Sequence, residues 1–393
     1  MLKWFLYICI ATLSLGQFAK FGMVGDSKLY LFDILIILFG LLGTFFFLIR
    51  KEFKISKYLI LFFVFCFIAS LSLIYNFHTL TKEEFIVAFS YLGRLFSYIL
   101  SANVVYNLID KGKLTVRELV RAFMYSGVFI SIVGFIQYVV LPDFTILDPS
   151  LGWDPHKNRL ASTFFDPNYT GVYLTLVFTL FLFKDLFFTK KELEEKKKVF
   201  IAGLIIVLSA IFLTYSRSTW GMLGVLILIY GWFKSKKLVF LALLIAFSAY
   251  FAVPRIQTRL AGITDPADSA HFRLISWKNT MEISKDNLFL GVGYNAFKKA
   301  QVDYGFLTPD SIKEHSSTGS DSSLLLVLAT TGVLGLFIFL IALGYPLVSS
   351  RSLFGAIIIV PLVLQSSFTN SLFFPQILML WLCTLLILDK GFN

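Results

Sequence analysis

Residues 29–49 read LYLFDILIILFGLLGTFFFLI, and this stretch decides the fold. It lacks the strict alternation of polar and apolar residues that marks a half-buried strand. A bilayer core takes about 20 apolar residues per helix, so the run is long enough to cross one. Working outward, comparable runs lie at 4–23, 57–77, 84–108, 118–141, 168–188, 199–215, 218–233, 237–254, 322–348, 353–370 and 374–389. The pattern predicts an all-α polytopic membrane protein of about twelve transmembrane helices, a single integral membrane domain over residues 1–393. In the last two runs Pro361 and the polar clusters Gln365-Ser366-Ser367 and Thr369-Asn370-Ser371 interrupt the apolar pattern. Helices broken in this way can line a cavity.

Composition agrees. Apolar residues make up 57% of the chain and charged residues 15%, and mean hydropathy is +0.79. Those values exclude an ordinary soluble domain. Cys9, Cys66 and Cys383 all sit inside apolar runs, which argues against a disulfide framework or a paired-cysteine metal site. The net charge of +11 would elsewhere suggest a nucleic-acid partner. Here the Lys and Arg residues fall in short loops between runs, where they set topology. The first run has only Lys3 before it and no convincing small-residue cleavage site after it. It is therefore expected to be a retained span rather than a signal peptide.

With the N-terminus placed in the cytoplasm, twenty of the 35 Lys and Arg residues fall on the cytoplasmic side, among them Arg50, Lys51, Lys111, Arg117, Arg121, Lys196 and Lys390. Both termini are then inside. The 142–167 and 254–321 loops face outward, away from ATP and nucleotide sugars.

The larger loop is the one long polar stretch. It carries Arg255, Arg259, His271, Arg273, Lys278, Lys285, Lys298, Lys299, Lys313 and His315 and runs into Asp321. Cations gathered in one outward loop point to an anion handled there. Arg217 sits between two apolar runs with almost no loop around it. It is either an interfacial anchor or an anion clamp, since the guanidinium fork matches phosphate oxygens. Arg159 stands just before Asp166-Pro167-Asn168, a turn with proline positioned to start a helix. Arg273 lies on an expected short surface helix over 268–283 and either solvates it or meets a ligand. The Gly291-Val292-Gly293 segment fits a dinucleotide pattern, but no strand–loop–helix unit surrounds it. Its glycines are expected to let backbone approach a ligand or another helix. Asp321 is either a helix cap or a general base. Arg94, deep in an apolar run, needs a counter-ion or a cavity, and Asp33 is the expected partner. None of the four histidines has a partner four residues on, so no zinc site is expected.

At these residues the chain resembles the O-antigen ligase/polymerase family of bacterial membrane glycosyltransferases. Arg159 to Asn168, Ser216-Arg217-Ser218, Arg273 to Trp277 with Gly291-Val292-Gly293 and Phe297, and Asp321-Ser322-Ser323-Leu324 running on to Thr331–Gly335 follow the family's order, over roughly residues 155–345. The resemblance implies a GT-C-like fold in the inner membrane and an undecaprenyl-diphosphate-linked glycan as donor. The acceptor would be a second carrier-linked glycan in a polymerase, or the lipid A core in a ligase. It implies no cofactor, no metal and no nucleic acid. A protein that regulates chain length would be a natural partner beside the lipid bilayer. Arg217 and Arg273 would grip the diphosphate, with Arg159, Asn168, Arg259 and Arg94 assisting. Asp321 or His315 would take the acceptor's proton, and Trp277 and Tyr294 would stack on sugar. Ligases carry a histidine followed by asparagine where this chain has Asp321-Ser322, which favours a polymerase. The alternative from another class is a transporter of lipid-linked glycan or another anion, although the chain has no visible internal repeat.

Overall fold

The structure is a computed structural model and describes residues 1–24, 27–147, 153, 155–261, 269–308 and 319–391. In chain order the elements are α1 (Leu2–Leu15), β1 (Lys20–Val24), β2 (Ser27–Tyr30), α2 (Leu31–Ile49), α3 (Lys57–Tyr75), α4 (Lys82–Asp110), α5 (Val116–Val140) and α6 (Pro167–Leu182). There follow α7 (Lys190–Glu195), α8 (Lys197–Leu213), α9 (Arg217–Lys234), α10 (Lys236–Ala252), α11 (Pro254–Ala261), α12 (Ser269–Asp286), α13 (Phe297–Asp303), α14 (Ser323–Ser350), α15 (Leu353–Ser366) and α16 (Pro375–Lys390).

Each of the twelve apolar runs contains an α-helix. Among the described residues six helical stretches are long and apolar enough to cross a membrane: Leu2–Ala19, α2, α3, α4, α5 and α14. The helices α10 and α11 together meet the same measure as a pair bent by 95°. The remaining runs form α6, α8, α9, α15 and α16, which are shorter or, for the 18-residue α9, less apolar. The chain is a helical membrane protein.

One departure from the all-helical expectation is an antiparallel hairpin of β1 and β2. The run 4–23 stops being α-helix at Leu15, because Gly16 turns to φ 52° and a 3-10 turn follows. A Cβ at Gly16 would collide with the Thr163 carbonyl, so the close approach of the 162–164 segment requires glycine here.

Two helices form the centre. Every residue of α16 from Gln376 to Leu388 is buried, and α6 is buried from Thr170 to Phe181. By contrast α10 buries no residue, and its exposed Leu241, Leu243, Leu244 and Phe247 are a surface suited to lipid. Ion pairs gather the starts of α1, α3 and α5 with the ends of α4 and α16 at one face. Lys3 pairs with Glu118 at 2.5 Å, Lys54 with Asp110 at 3.1 Å, Lys390 with Asp110 at 2.5 Å and Lys57 with Asp389 at 3.5 Å. These are residues of the loops expected in the cytoplasm.

The α14 helix is broken at Gly332, whose φ of 67° takes it out of helical geometry. The segment after α12 plugs that break. Val292 N donates to Ala329 O at 2.9 Å, and Val333 N donates to Leu288 O at 2.8 Å. From α3, Ser72 Oγ donates to Leu290 O and Thr330 O, and Asn76 Nδ2 donates to Gly291 O at 3.0 Å. The glycines of 291–293 thus bring backbone against a helix, one of the two roles expected of them.

Candidate functional site

The site begins at the α8–α9 turn, Thr214-Tyr215-Ser216. Ser216 caps α9 by accepting from Thr219 N at 3.4 Å, which puts Arg217 at the first helical position. Across from it, Asp166 caps α6 by accepting from Asn168 N at 2.6 Å and Tyr169 N at 3.2 Å, with Pro167 opening the helix as expected. Asn168 joins the two helix starts: its Oδ1 accepts from Ser216 Oγ at 2.8 Å and from Arg159 Nη2 at 3.2 Å. Arg159 is buried, and its Nε donates to Thr214 O at 2.9 Å. A guanidinium suits that place, where the end of α8 leaves carbonyls unpaired.

The short α11 is strapped over this turn. Arg217 Nη1 donates to Arg259 O at 3.0 Å. Arg255 donates to Lys157 O and lies 4.4 Å over the Tyr215 ring.

A second group forms where α12 meets the start of α14. Asp321 N donates to Ser276 Oγ at 3.1 Å, and Trp277 Nε1 donates to Asp321 O at 3.3 Å. The cap of α14 is Ser322, which accepts from Leu325 N at 3.3 Å, so the capping role considered for Asp321 belongs to its neighbour. Asp321 stands one residue before that cap, outside the helix.

The turn between α15 and α16 links the two groups. On one side Gln365 Nε2 reaches Ser218 Oγ at 3.4 Å, and Ser371 Oγ donates to Gln365 Oε1 at 2.6 Å. On the other, Ser323 Oγ donates to Asn370 Oδ1 at 3.1 Å and accepts from Leu372 N at 3.2 Å. Phe374 stacks on Tyr169 with centroids 4.2 Å apart, and Phe368 lies against Trp277 at 5.6 Å. The starts of α6, α9, α14 and α16 therefore converge on one turn. Each brings the positive end of a helix dipole, and such ends favour anions. Among the described residues, Thr369 Oγ1 in this turn and Trp220 Nε1 one turn into α9 are buried without a hydrogen-bond partner. Such groups are rare and costly unless a ligand or water meets them.

Arg159, Asn168, Arg217 and Arg259 are thus in one cluster, and Trp277 and Asp321 in a second. Arg273 is half-buried on α12, one turn before Trp277, and among the described residues it has no hydrogen-bond or ionic partner. His315 lies outside the described residues. Arg94 belongs elsewhere. It pairs with Asp33 at 2.9 Å, as expected, and donates to Lys28 O at 2.9 Å, along the seam of α2 and α4. Tyr294 packs among Ala69, Leu73, Ala88 and Leu92 rather than beside the α12 residues. The residues that sequence reasoning did not place in the site are Gln365, Asn370 and Ser371. Their signal was the polar interruption of the last two apolar runs. Among the described residues no three His, Cys, Asp or Glu side chains come together as a metal site would require.

The architecture is that of a polytopic helical membrane protein whose polar network lies at helix starts, opposite the ion-paired face. Residues 202–340 match the family model for O-antigen ligase, a stretch that runs from α8 into α14 and includes Arg217, Arg259, Arg273, Trp277 and Asp321. The match bears out the resemblance to the O-antigen ligase/polymerase family, whose ligases are glycosyltransferase-like enzymes. No curated protein matched the chain.

Proposed function

We propose that this chain transfers a glycan from an undecaprenyl-diphosphate carrier to an acceptor hydroxyl, at the extracytoplasmic face of the bacterial inner membrane. The observation that supports it most is the convergence of four helix starts on the α15–α16 turn, with Arg217 at the first position of one of them. A diphosphate leaving an anomeric carbon develops negative charge. Fixed donors and dipoles that need no reorganisation stabilise that charge best.

In this reading Arg273 and Arg217 hold the diphosphate. Arg159 acts through Asn168 and Thr214 as a positioning residue. Asp321 or His315 accepts the proton of the incoming hydroxyl, and attack opposite the leaving group inverts the anomeric centre. The resemblance implies that no metal is needed. The polymerase reading is favoured, because Asp321-Ser322 stands where ligases carry histidine and asparagine. The twelve helical runs would all span a GT-C-like fold, with both termini and the ion-paired face in the cytoplasm.

The test is transfer by purified protein from a carrier-linked donor. Longer lipid-linked chains mean polymerase, and a modified lipid A core means ligase. A glycan that crosses the membrane unchanged would overturn the proposal in favour of transport.

A further inference from the structure

At the opposite end of α6 from the polar network, a groove of about 280 Å³ opens between α5, α6 and α8. Val128, Phe181, Phe200, Gly203 and Ile206 make its apolar floor. The floor exists because residue 203 has no side chain: a Cβ there would come within 2.7 Å of the Phe181 ring. The volume lies just under the roughly 300 Å³ at which pockets for whole small molecules begin, so it suits a segment of chain.

The mouth is charged. Of the ionisable residues that line it, Arg121 and Lys196 are basic and Glu192 is acidic. Glu192 is already engaged by Arg117 at 3.1 Å and Arg121 at 3.2 Å. Its carboxyl is held below the usual range, first by the Thr189 amide and then by these guanidinium groups. Lys196 is also the N-cap of α8, where no side chain caps the helix and the first turn holds no acidic residue. Lys196, Lys197 and Lys198 therefore crowd the positive end of a helix dipole, an arrangement that an anion relieves.

We propose that this groove holds one acyl chain of an anionic phospholipid, with the lipid phosphate between Arg121, Lys196 and the first amides of α8. The α5 helix is long and apolar enough to cross a membrane, and Arg121 stands near its start. A lipid whose headgroup lies at that end and whose tail runs into the bilayer meets both halves of the site. Basic pockets between membrane helices select anionic headgroups in this way.

The experiment is native mass spectrometry of the full-length protein from vesicles of mixed phosphatidylglycerol and phosphatidylcholine. The wild type is expected to retain phosphatidylglycerol preferentially. Lys196→Glu should lower that preference by roughly fivefold or more, the ratio that one surface cation supplies. Ala202→Trp, on the exposed rim of the groove, should cut retention of both lipids by filling the space. Lys237→Glu, a charge change outside the groove, should leave the preference intact. Equal retention of the two lipids by the wild type would overturn the proposal. So would an unchanged preference in Lys196→Glu, full retention in Ala202→Trp, or an equal loss in Lys237→Glu. Thermal protection by inorganic phosphate as large as that by phosphatidylglycerol would show an anion site without a tail, and would overturn it too.

Discussion

Arg159 and Asn168 form the joint on which the candidate site hangs: Arg159 Nη2 lies 3.2 Å from Asn168 Oδ1, which also accepts from Ser216 Oγ at 2.8 Å. One amide oxygen thereby ties the start of α6 to the start of α9 and to a buried guanidinium. Removing it takes one acceptor from a buried guanidinium and one from the buried Ser216 hydroxyl. Asn168→Ala is expected to destabilise the protein by about 1.5–3 kcal/mol, the range for hydrogen bonds to charged groups. Thermal unfolding in detergent measures this. A melting temperature equal to that of the wild type would remove Asn168 from the joint.

Arg217 and Arg273 differ in what holds them, and their variants should differ accordingly. Arg217 donates to Arg259 O, whereas Arg273 has no protein partner among the described residues. Arg273→Ala should lower transfer on the order of 10²–10³-fold, as loss of one preorganised donor does, with little change in melting temperature. Arg217→Ala should lower transfer similarly and also loosen α11, seen as faster proteolysis between α10 and α12. Near-normal turnover in both variants would end the clamp reading.

Much of this arrangement is local and so could be read from sequence. Asp166-Pro167-Asn168 starts a helix through contacts two and three residues away, and the apolar runs announce their helices one by one. Arg94 and Asp33 were matched because a charge in an apolar helix demands a partner. The contacts that assemble the site are not local. Gln365 meets Ser218, and Ser323 meets Asn370, across long stretches of chain. Nothing in the sequence near any one of them names the other. The α6, α9, α14 and α16 helices begin with polar residues that blur the apolar count, yet those starts are what build the network. The break at Gly332 was hidden for a similar reason. A glycine in an apolar run is unremarkable until Leu288 and Val292 occupy the gap.

That break makes its own prediction. Gly332 has φ 67°, and a Cβ there would run into the Phe289 carbonyl. Gly332→Ala therefore meets both a disfavoured backbone region and a backbone atom that cannot swing aside. A loss of about 1–3 kcal/mol is expected from strain alone. It should appear as a lower melting temperature together with faster hydrogen exchange at Val292 and Val333. By comparison Gly344→Ala, in the same helix with nothing near its Cβ, should be neutral or mildly stabilising.

Acid should release one clasp late. Asp143 pairs with Lys157 at 2.9 Å, and that hydrogen bond, with help from Thr145, pulls its carboxyl down to about 2. A carboxyl lowered in the folded state stabilises above its ordinary pKa, near ~4, and loses that contribution as pH falls toward the folded value. The 142–147 segment should thus resist pepsin at pH ~4 and yield as the pH approaches about 2. Asp143→Asn should be cut at both values. Equal resistance of the variant and the wild type across this window would show that the ion pair does not hold the segment.

Sidedness is open to a direct chemical test, because Cys9, Cys66 and Cys383 are all buried and give little background. Lys278 is exposed on α12, the helix that carries Arg273. If α12 faces away from the cytoplasm, Lys278→Cys reacts with a membrane-impermeant maleimide in intact spheroplasts. Lys197→Cys, at the start of α8 on the ion-paired end, then reacts only after the membrane is opened. The reverse pattern would put Arg217 and Arg273 on the side where a carrier-linked glycan is built rather than joined, and the leaving-group argument would have no substrate to act on.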